Sequence, residues 1–326
     1  MTIERHIRKN EGTSNEQEFI SLEEFLKLTR NEIAEIVKTT QKPKNVTFMI
    51  DGTRRMLKLN PEHHSDSWLY HQDHIRVLME KSIEVADCFF DMGVEVVMGP
   101  LISLGNLHRE GFVPTGLERL LLPLTEERSL GIIKKHQVHV TFYGDIGHAK
   151  SLPKGEIVQD FQDNFERINR QVPSPKKRIL IGLGFSTDRE TTLIAHKAVE
   201  FFEREGRLPT QEELVLEYFG FEVPSVDIFI RTNELKSSGG LTPFLTQPNT
   251  QLYFPNSPGI ISFTEPNVKK ILHDYLFNRS LSAGMHQHQP INSDQAQRIN
   301  DFYHNSQNQI TGVGSRVGDI WIHETE

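Results

Sequence analysis

The sequence predicts an α/β fold with a mostly parallel central sheet flanked by helices, an N-terminal helical extension and a polar C-terminal extension. Short continuous apolar runs recur along the chain, and helix-period segments separate them. Connections of this length suit crossovers between parallel strands, whose two buried faces explain the unbroken apolar runs. In such sheets ligands bind beyond the carboxyl ends of the strands.

The elements follow in order. Residues 1–20 are polar and carry no apolar run of the kind a secretory signal needs. From Ser21 to Val37, a capping box (Ser21 with Glu24) and the spacing of Leu22, Phe25, Leu26, Ile33, Ile36 and Val37 predict one amphipathic helix. A polar linker, 38–44, leads into a strand at 46–50, and further strands are expected at 94–98, 138–144, 179–184 and 226–230. Helix-period segments lie at 74–90, 115–135 and 192–205. From about Ala283 the chain turns rich in Asn, Gln and His, and its final VGDIWIHE is apolar enough to dock as a strand. The expected division is an extension over 1–44, a catalytic domain over 45–284 and a polar extension over 285–326.

Composition narrows the function classes. The 326 residues suffice for one large α/β domain with extensions, and a 37% apolar share with 22 glycines can form a sizeable core. Thirty-six Lys and Arg against 44 Asp and Glu give a net charge of −8, which argues against a nucleic-acid partner. The single cysteine, Cys88, forms no internal disulfide, and no apolar run is long enough to cross a bilayer. A cytoplasmic protein is the expectation.

Chemistry concentrates at strand ends. Directly after the first strand, Asp51-Gly52-Thr53-Arg54-Arg55 places a carboxylate, a glycine turn, a hydroxyl and two guanidiniums together. Glycine lets a ligand approach the backbone, and arginine forks match phosphate oxygens. Adjacent cations favour the charged form of an aspartate, which can then hold Mg²⁺ against a diphosphate. Ser103 to Arg109, Gly144-Asp145 and Ser186 to Glu190 offer further polar strand ends, and Arg231-Thr232 follows the last apolar run. His63, His64, His71 and His74 cluster in sequence without a zinc-binding spacing.

From about Val46 to Gly284 the chain resembles the cis-prenyltransferase family of undecaprenyl diphosphate synthase-like enzymes, closest to its cyclolavandulyl diphosphate synthase-like branch. DGTRR, SLGNLHR, IGLGFSTDRE, and VDIFIRT followed by QLYF at 251–254 carry the likeness. The resemblance implies that Asp51 helps hold Mg²⁺ and assists ionisation of an allylic prenyl diphosphate, with Asn106 near the reacting centre. It implies that Gly52, Thr53, Arg54, Arg55 and Arg109 grip the diphosphate, and that His74 lies close to it. A homodimer is implied too.

The second-substrate site departs from the family. Arg231 matches its first arginine, with Thr232, Lys236 and Ser238 alongside, but Ser237 and Ser282 stand where arginines are expected, and Gly239 where a serine is. Gln251 replaces the acidic residue expected to complete the Mg²⁺ site together with Asp51. Two missing arginines weaken a second diphosphate by roughly 3–6 kcal/mol, a hundredfold or more.

The leading expectation is therefore a one-substrate enzyme, terpene synthase-like or cyclase-like (a lyase), in isoprenoid biosynthesis. The alternative is a prenyltransferase that makes an irregular lavandulyl-type or cis-prenyl diphosphate, or prenylates an acceptor carrying no diphosphate. A non-catalytic partner subunit ranks third. Ile75, Leu78, Ile83, Leu101, Ile102 and Phe142 are candidates for lining a prenyl tunnel, and the N-terminal helix for covering its mouth or the sheet edge.

Overall fold

A computed structural model describes residues 20–53, 72–109, 112–232, 236–257, 259–260, 262–279, 292–307, 309–317 and 320–323. The chain begins with helices α1 (Leu22–Lys27) and α2 (Arg30–Thr40), then strand β1 (Asn45–Met49). There follow α3 (Gln72–Asp91), β2 (Val96–Ser103), α4 (Leu104–Leu107), α5 (Phe112–Leu121), α6 (Glu127–His136) and β3 (Val138–Tyr143). Next come α7 (Ile146–Ser151), α8 (Glu156–Asn169), β4 (Lys177–Phe185), α9 (Thr187–Glu205), α10 (Gln211–Phe219), β5 (Ile228–Arg231) and β6 (Gln251–Tyr253). The chain closes with α11 (Glu265–His273), α12 (Ser293–Ser306), β7 (Gly314–Val317) and β8 (Ile320–His323).

Strands β1 to β6 form one six-stranded sheet in the order β3-β4-β2-β1-β5-β6, and every pairing in it is parallel. The predicted α/β architecture is therefore observed. Alternate side chains of each strand pass to opposite faces, so the sheet carries two cores. Val46, Phe48, Val97, Ile181, Leu183, Ile228 and Ile230 join the larger one beneath α3, while Met98, Leu180 and Phe229 join the smaller one beneath α10 with Val215 and Phe219. All of these are buried.

The single N-terminal helix expected over 21–37 is two. Leu28 is extended, and Thr29 starts a second capping box by accepting from the Glu32 N–H while Glu32 accepts from the Thr29 N–H at 2.7 Å. The T-x-x-E signal lay inside the amphipathic pattern. These helices pack on α11 and α3. Phe25, fully buried, meets the rings of His273 and Phe277 edge-on, and Arg30 bridges Asp91 at 2.9 Å and Glu265 at 2.8 Å. The helix expected over 115–135 is likewise interrupted, by a 3₁₀ turn over Leu122–Thr125 with Pro123 in its first positions.

Within the C-terminal VGDIWIHE, Ile320–His323 form a strand, but this β8 pairs antiparallel with β7 in a separate two-stranded sheet. Among the described residues no helix is long and apolar enough to cross a membrane.

Candidate active site

The carboxyl ends of β1 and β5 are brought together by register, because Met49 pairs with Arg231. Beyond that pair the two chains stitch to each other. The Thr232 hydroxyl accepts the Asp51 N–H at 2.9 Å and donates to the Asp51 carbonyl at 3.0 Å, and the Thr232 N–H reaches the Met49 carbonyl at 3.1 Å. The Gly259 N–H donates to the Asp51 carbonyl at 2.7 Å. Gly52 turns the chain with φ 78°, a left-handed conformation that favours glycine, and its N–H donates to Asp51 Oδ1 at 2.7 Å.

This scaffold fixes an ion pair. Arg231 donates to Asp51 Oδ2 from Nη2 at 2.6 Å and from Nε at 3.2 Å. Its Nη1 donates to the Ser237 and Gly239 carbonyls at 3.3 and 3.2 Å and to the Ser237 hydroxyl. The guanidinium is buried at 8% side-chain exposure, whereas the Asp51 carboxylate keeps 31%. One partner is thus locked in protein and the other faces the crevice. The turn that cradles Arg231 sits tightly on β1: Gly240 has φ 103°, and a Cβ there would collide with the Met49 sulfur.

Next to Asp51 an apolar cavity of about 90 Å³ lies between α3 and the sheet. Its walls are Phe48 and Ile50, then Met79, Ile83 and Ala86 from α3, Val97, Gly99 and Leu101 from β2, Ile179 and Ile181 from β4, and Leu124. Of the expected tunnel residues Ile83 and Leu101 line it. Ile75, Leu78 and Ile102 are buried but are not among its lining residues, and Phe142 packs against the main core.

At the end of β2, Ser103 caps α4: its hydroxyl accepts the Asn106 N–H at 3.1 Å and donates to Asn106 Oδ1 at 2.6 Å, fixing that side chain. The Arg109 N–H closes the turn on the Asn106 carbonyl at 3.1 Å. The ends of β3 and β4 tie to each other instead, with Arg189 Nε on Asp145 Oδ2 at 2.5 Å. His108 and His148 also meet, Nε2 to Nε2 at 2.9 Å. No sequence pattern announced these pairings across forty or more residues.

Other expected site residues sort as follows. Thr53 lies half-buried beside Gly52. Arg54 and Arg55 lie outside the described residues, as do the side chain of His74, His63, His64, His71 and Ser282. Lys236 is half-buried on the turn, and Ser238 is exposed; the hydroxyl that reaches Arg231 is that of Ser237. Gln251 is not brought to Asp51. It pairs with Ile228, which pairs with Val46, so it sits five strand positions from Asp51, roughly 16 Å at about 3.3 Å per residue. Its amide donates to the Asn249 carbonyl at 3.1 Å.

No family model matches the chain. Two solved structures share its architecture: a lavandulyl diphosphate synthase from Lavandula x intermedia, in complex with dimethylallyl diphosphate, and a probable undecaprenyl diphosphate synthase from Campylobacter jejuni. The first superposes with a TM-score of 0.59 at 16% identity, over 75% of this chain and 96% of that one. The second gives 0.53 at 17% identity, over 74% and 98%. The fold is that of the cis-prenyltransferases. The resemblance carried by DGTRR and VDIFIRT therefore holds for the architecture. A curated relative, the tuberculosinyl adenosine transferase of Mycobacterium tuberculosis, is 28% identical over 312 residues, spanning 94% of this chain and 99% of its own. Its alignment thus reaches well beyond the part shared with the cis-prenyltransferase structures.

The cis-prenyltransferase fold implies Mg²⁺, and the residues present fit it in part. Asp51 supplies hard carboxylate oxygens at the crevice, and Mg²⁺ commonly takes one or two carboxylates with substrate phosphates supplying the rest. Gln251 does not contribute within this chain. One His/Asp group among the described residues has metal-ligand spacing: Asp87, Asp91 and His136, whose ligand atoms lie within 4.8 Å of one another. It sits at the last turns of α3 and α6, just before β2 and β3 begin, so it lies at the amino ends of the strands. Lys135 already reaches both aspartates at 2.9 Å. Burial raises the Asp87 pKa, but hydrogen bonds from His136 and Lys135 outweigh it and hold that carboxyl at about 2. That group is an ion-pair network.

Proposed function

We propose that this protein is a prenyltransferase that ionises an allylic prenyl diphosphate beside Asp51 and delivers the prenyl group to an acceptor carrying no diphosphate. A nucleoside of the adenosine type is the first candidate. The observation that carries this reading is the near full-length relationship to a tuberculosinyl adenosine transferase. The site agrees with it. Ser237 and Ser282 stand where a second diphosphate would need arginines, and the one arginine retained, Arg231, is engaged by Asp51, Ser237 and Gly239.

In this reading the prenyl chain lies in the cavity between α3 and the sheet, with its diphosphate at the β1 carboxyl end. Asp51 would hold Mg²⁺ together with the diphosphate oxygens, and the metal supplies Lewis acidity to the leaving group. The chain's own work is positional. Arg231 fixes the Asp51 carboxylate, Thr232 and Gly259 fix its backbone, and the Ser103-capped turn fixes Asn106 at the crevice. The allylic C–O bond breaks with its electron pair leaving on diphosphate, and an acceptor lone pair forms the new bond to carbon. A ring nitrogen as acceptor needs no base, whereas a hydroxyl or amine acceptor must also release a proton.

The alternative products, a cyclised or hydrated prenyl chain and an elongated diphosphate, separate cleanly in one experiment. Purified protein is incubated with Mg²⁺ and geranyl, farnesyl or geranylgeranyl diphosphate, alone, with isopentenyl or dimethylallyl diphosphate, or with adenosine, and products are read by mass spectrometry. A prenylated nucleoside is the expected product. A hydrocarbon or alcohol from one substrate alone would restore the one-substrate lyase reading, and a longer diphosphate would show that the second diphosphate site works. For the homodimer that the cis-prenyltransferase resemblance implies, the exposed Val199 and Phe202 of α9 are the apolar candidates to be covered.

A further inference from the structure

Behind the Arg231 cradle, on the α10 side of the sheet, a polar group is sealed from solvent. Glu190, in the first turn of α9, is 0% exposed, Thr242 is 0% exposed, and Tyr143 at the end of β3 is 3% exposed. The Tyr218 hydroxyl of α10 accepts the Gly144 N–H at 3.1 Å and donates to Glu190 Oε1 at 2.8 Å. Glu190 Oε2 and the hydroxyls of Tyr143 and Thr242 are buried without a hydrogen-bond partner among the described residues. Thr242 nevertheless faces both Glu190 and Tyr143.

A buried carboxyl normally meets a cation or stays neutral. Among the described residues, Tyr143 from β3, Tyr218 from α10 and Thr242 from the loop after β5 face Glu190. Its chain neighbour Arg189 is committed to Asp145. Burial pushes Glu190 up to about 7, and the hydrogen-bonding influence of Tyr218 and Thr242 does not offset it. At neutral pH the carboxyl therefore stands near its midpoint.

Thr242 matters because of what precedes it. Ser237 and Gly239 hold Arg231, Gly240 presses on Met49 and Pro100, and the Leu241 N–H closes the turn on the Ser238 carbonyl at 3.0 Å. Leu241 and Thr242 then enter the smaller core. The turn that positions the Asp51–Arg231 pair is thus anchored at one end by a side chain facing Glu190.

We propose that Glu190 is a positioning residue for this cradle: its neutral carboxyl keeps Thr242 and the Lys236–Leu241 turn seated against β3 and α9, and its ionisation releases them. The inference rests on the reading of the Asp51–Arg231 crevice as the transfer site, and it makes that site sensitive to pH near neutrality. Among the described residues a charge formed there meets no cation, so the ionised state favours opening toward water.

The test reads the turn itself. Amide hydrogen exchange of peptides covering 236–245 is followed from pH 6 to 8, corrected for intrinsic pH dependence, in wild type, Glu190→Gln and Thr242→Val. In wild type the opening constant is expected to rise about tenfold between pH 6 and 8, most of it below pH 7, while Glu190→Gln stays flat. Thr242→Val is expected to exchange fast at pH 6 already. In the transfer assay the acceptor KM is expected to rise from pH 6 and level off toward pH 8 in wild type but not in Glu190→Gln, with the prenyl diphosphate KM unmoved. Parallel exchange curves in wild type and Glu190→Gln would overturn the proposal even if transfer is observed. Exchange that follows Glu190 in a protein without transfer would leave the coupling standing and remove the proposed function instead.

Discussion

The two ends of the same sheet handle charge differently. At the amino ends, Asp227 accepts the Lys44 N–H at 2.7 Å, the Asn45 N–H at 3.2 Å, Lys42 Nζ at 3.0 Å and the Tyr275 hydroxyl at 2.9 Å. Asp87 and Asp91 are likewise enclosed by Lys135, Arg30 and His136. At the carboxyl ends of β1 and β5 the acid keeps the exposure and the base is buried behind it, in the Asp51–Arg231 pair, whereas at the ends of β3 and β4 the acid, Asp145, is the buried partner of Arg189. A carboxylate surrounded on all sides stabilises an arrangement; one held from behind is positioned for a ligand.

The largest effect should come from the crevice acid. Asp51→Asn is expected to lower prenyl transfer by about 10²–10³-fold, of the order found when one transition-state contact is removed. Circular dichroism should show a folded protein, because the amide oxygen introduced by the substitution can still accept from Arg231. Wild-type activity in Asp51→Asn would break the distinction between the two ends.

At the other end the loss should be in stability. Asp227→Ala removes the acceptor shared by β1 and β5, whose side chain is 8% exposed, and is expected to cost about 3 kcal/mol in urea unfolding. Transfer per folded molecule should not change. A loss of turnover without a loss of stability would reverse the assignment of the two ends.

The acid limb sharpens the contrast. Because Asp87 sits at about 2 in the folded chain against an ordinary 3.8, the stability it contributes is present above pH 3.8 and is lost as pH falls toward 2. Its loss is worth about 2 kcal/mol, and Asp87→Asn should flatten that part of the stability–pH curve while leaving stability at pH 7 lower.

The smallest change in stability is expected at Gly99. It lines the cavity, and a Cβ there would meet nothing within 4 Å. Gly99→Ala should gain about 0.5 kcal/mol from the unfolded chain while shortening the prenyl chains accepted, read as a KM that rises with substrate length. Unchanged KM values for all lengths would separate the cavity from the Asp51 end.

Much of this contrast was legible in the sequence, and the limits are physical. Apolar runs marked β1 to β5 because strands buried on both faces need no alternation, but β6 has three residues, with Leu252 exposed, and only its QLYF motif marked it. The Thr29–Glu32 capping box and Pro123 carried the helix breaks, masked by continuous amphipathic spacing on either side. Asp51, Thr232, Arg231 and Asn106 were legible as strand-end residues. The closure of Arg231 on Asp51 was not, since it joins residues 180 apart and depends on the Met49–Arg231 register. The same register sends Gln251 to the other end, which no spacing within QLYF discloses. Reading the missing arginines as a single-substrate site left open what else binds there. The similarity to a tuberculosinyl adenosine transferase supports a prenyltransferase better than a lyase.

The central claim, one diphosphate site per chain beside an acceptor site without diphosphate, is tested most directly by titration calorimetry with an unreactive allylic thiolodiphosphate. The account predicts one thiolodiphosphate per chain, lost in Asp51→Asn, and binding of adenosine but not isopentenyl diphosphate to the loaded protein. Binding of isopentenyl diphosphate to the loaded protein, with no binding of adenosine, would contradict it.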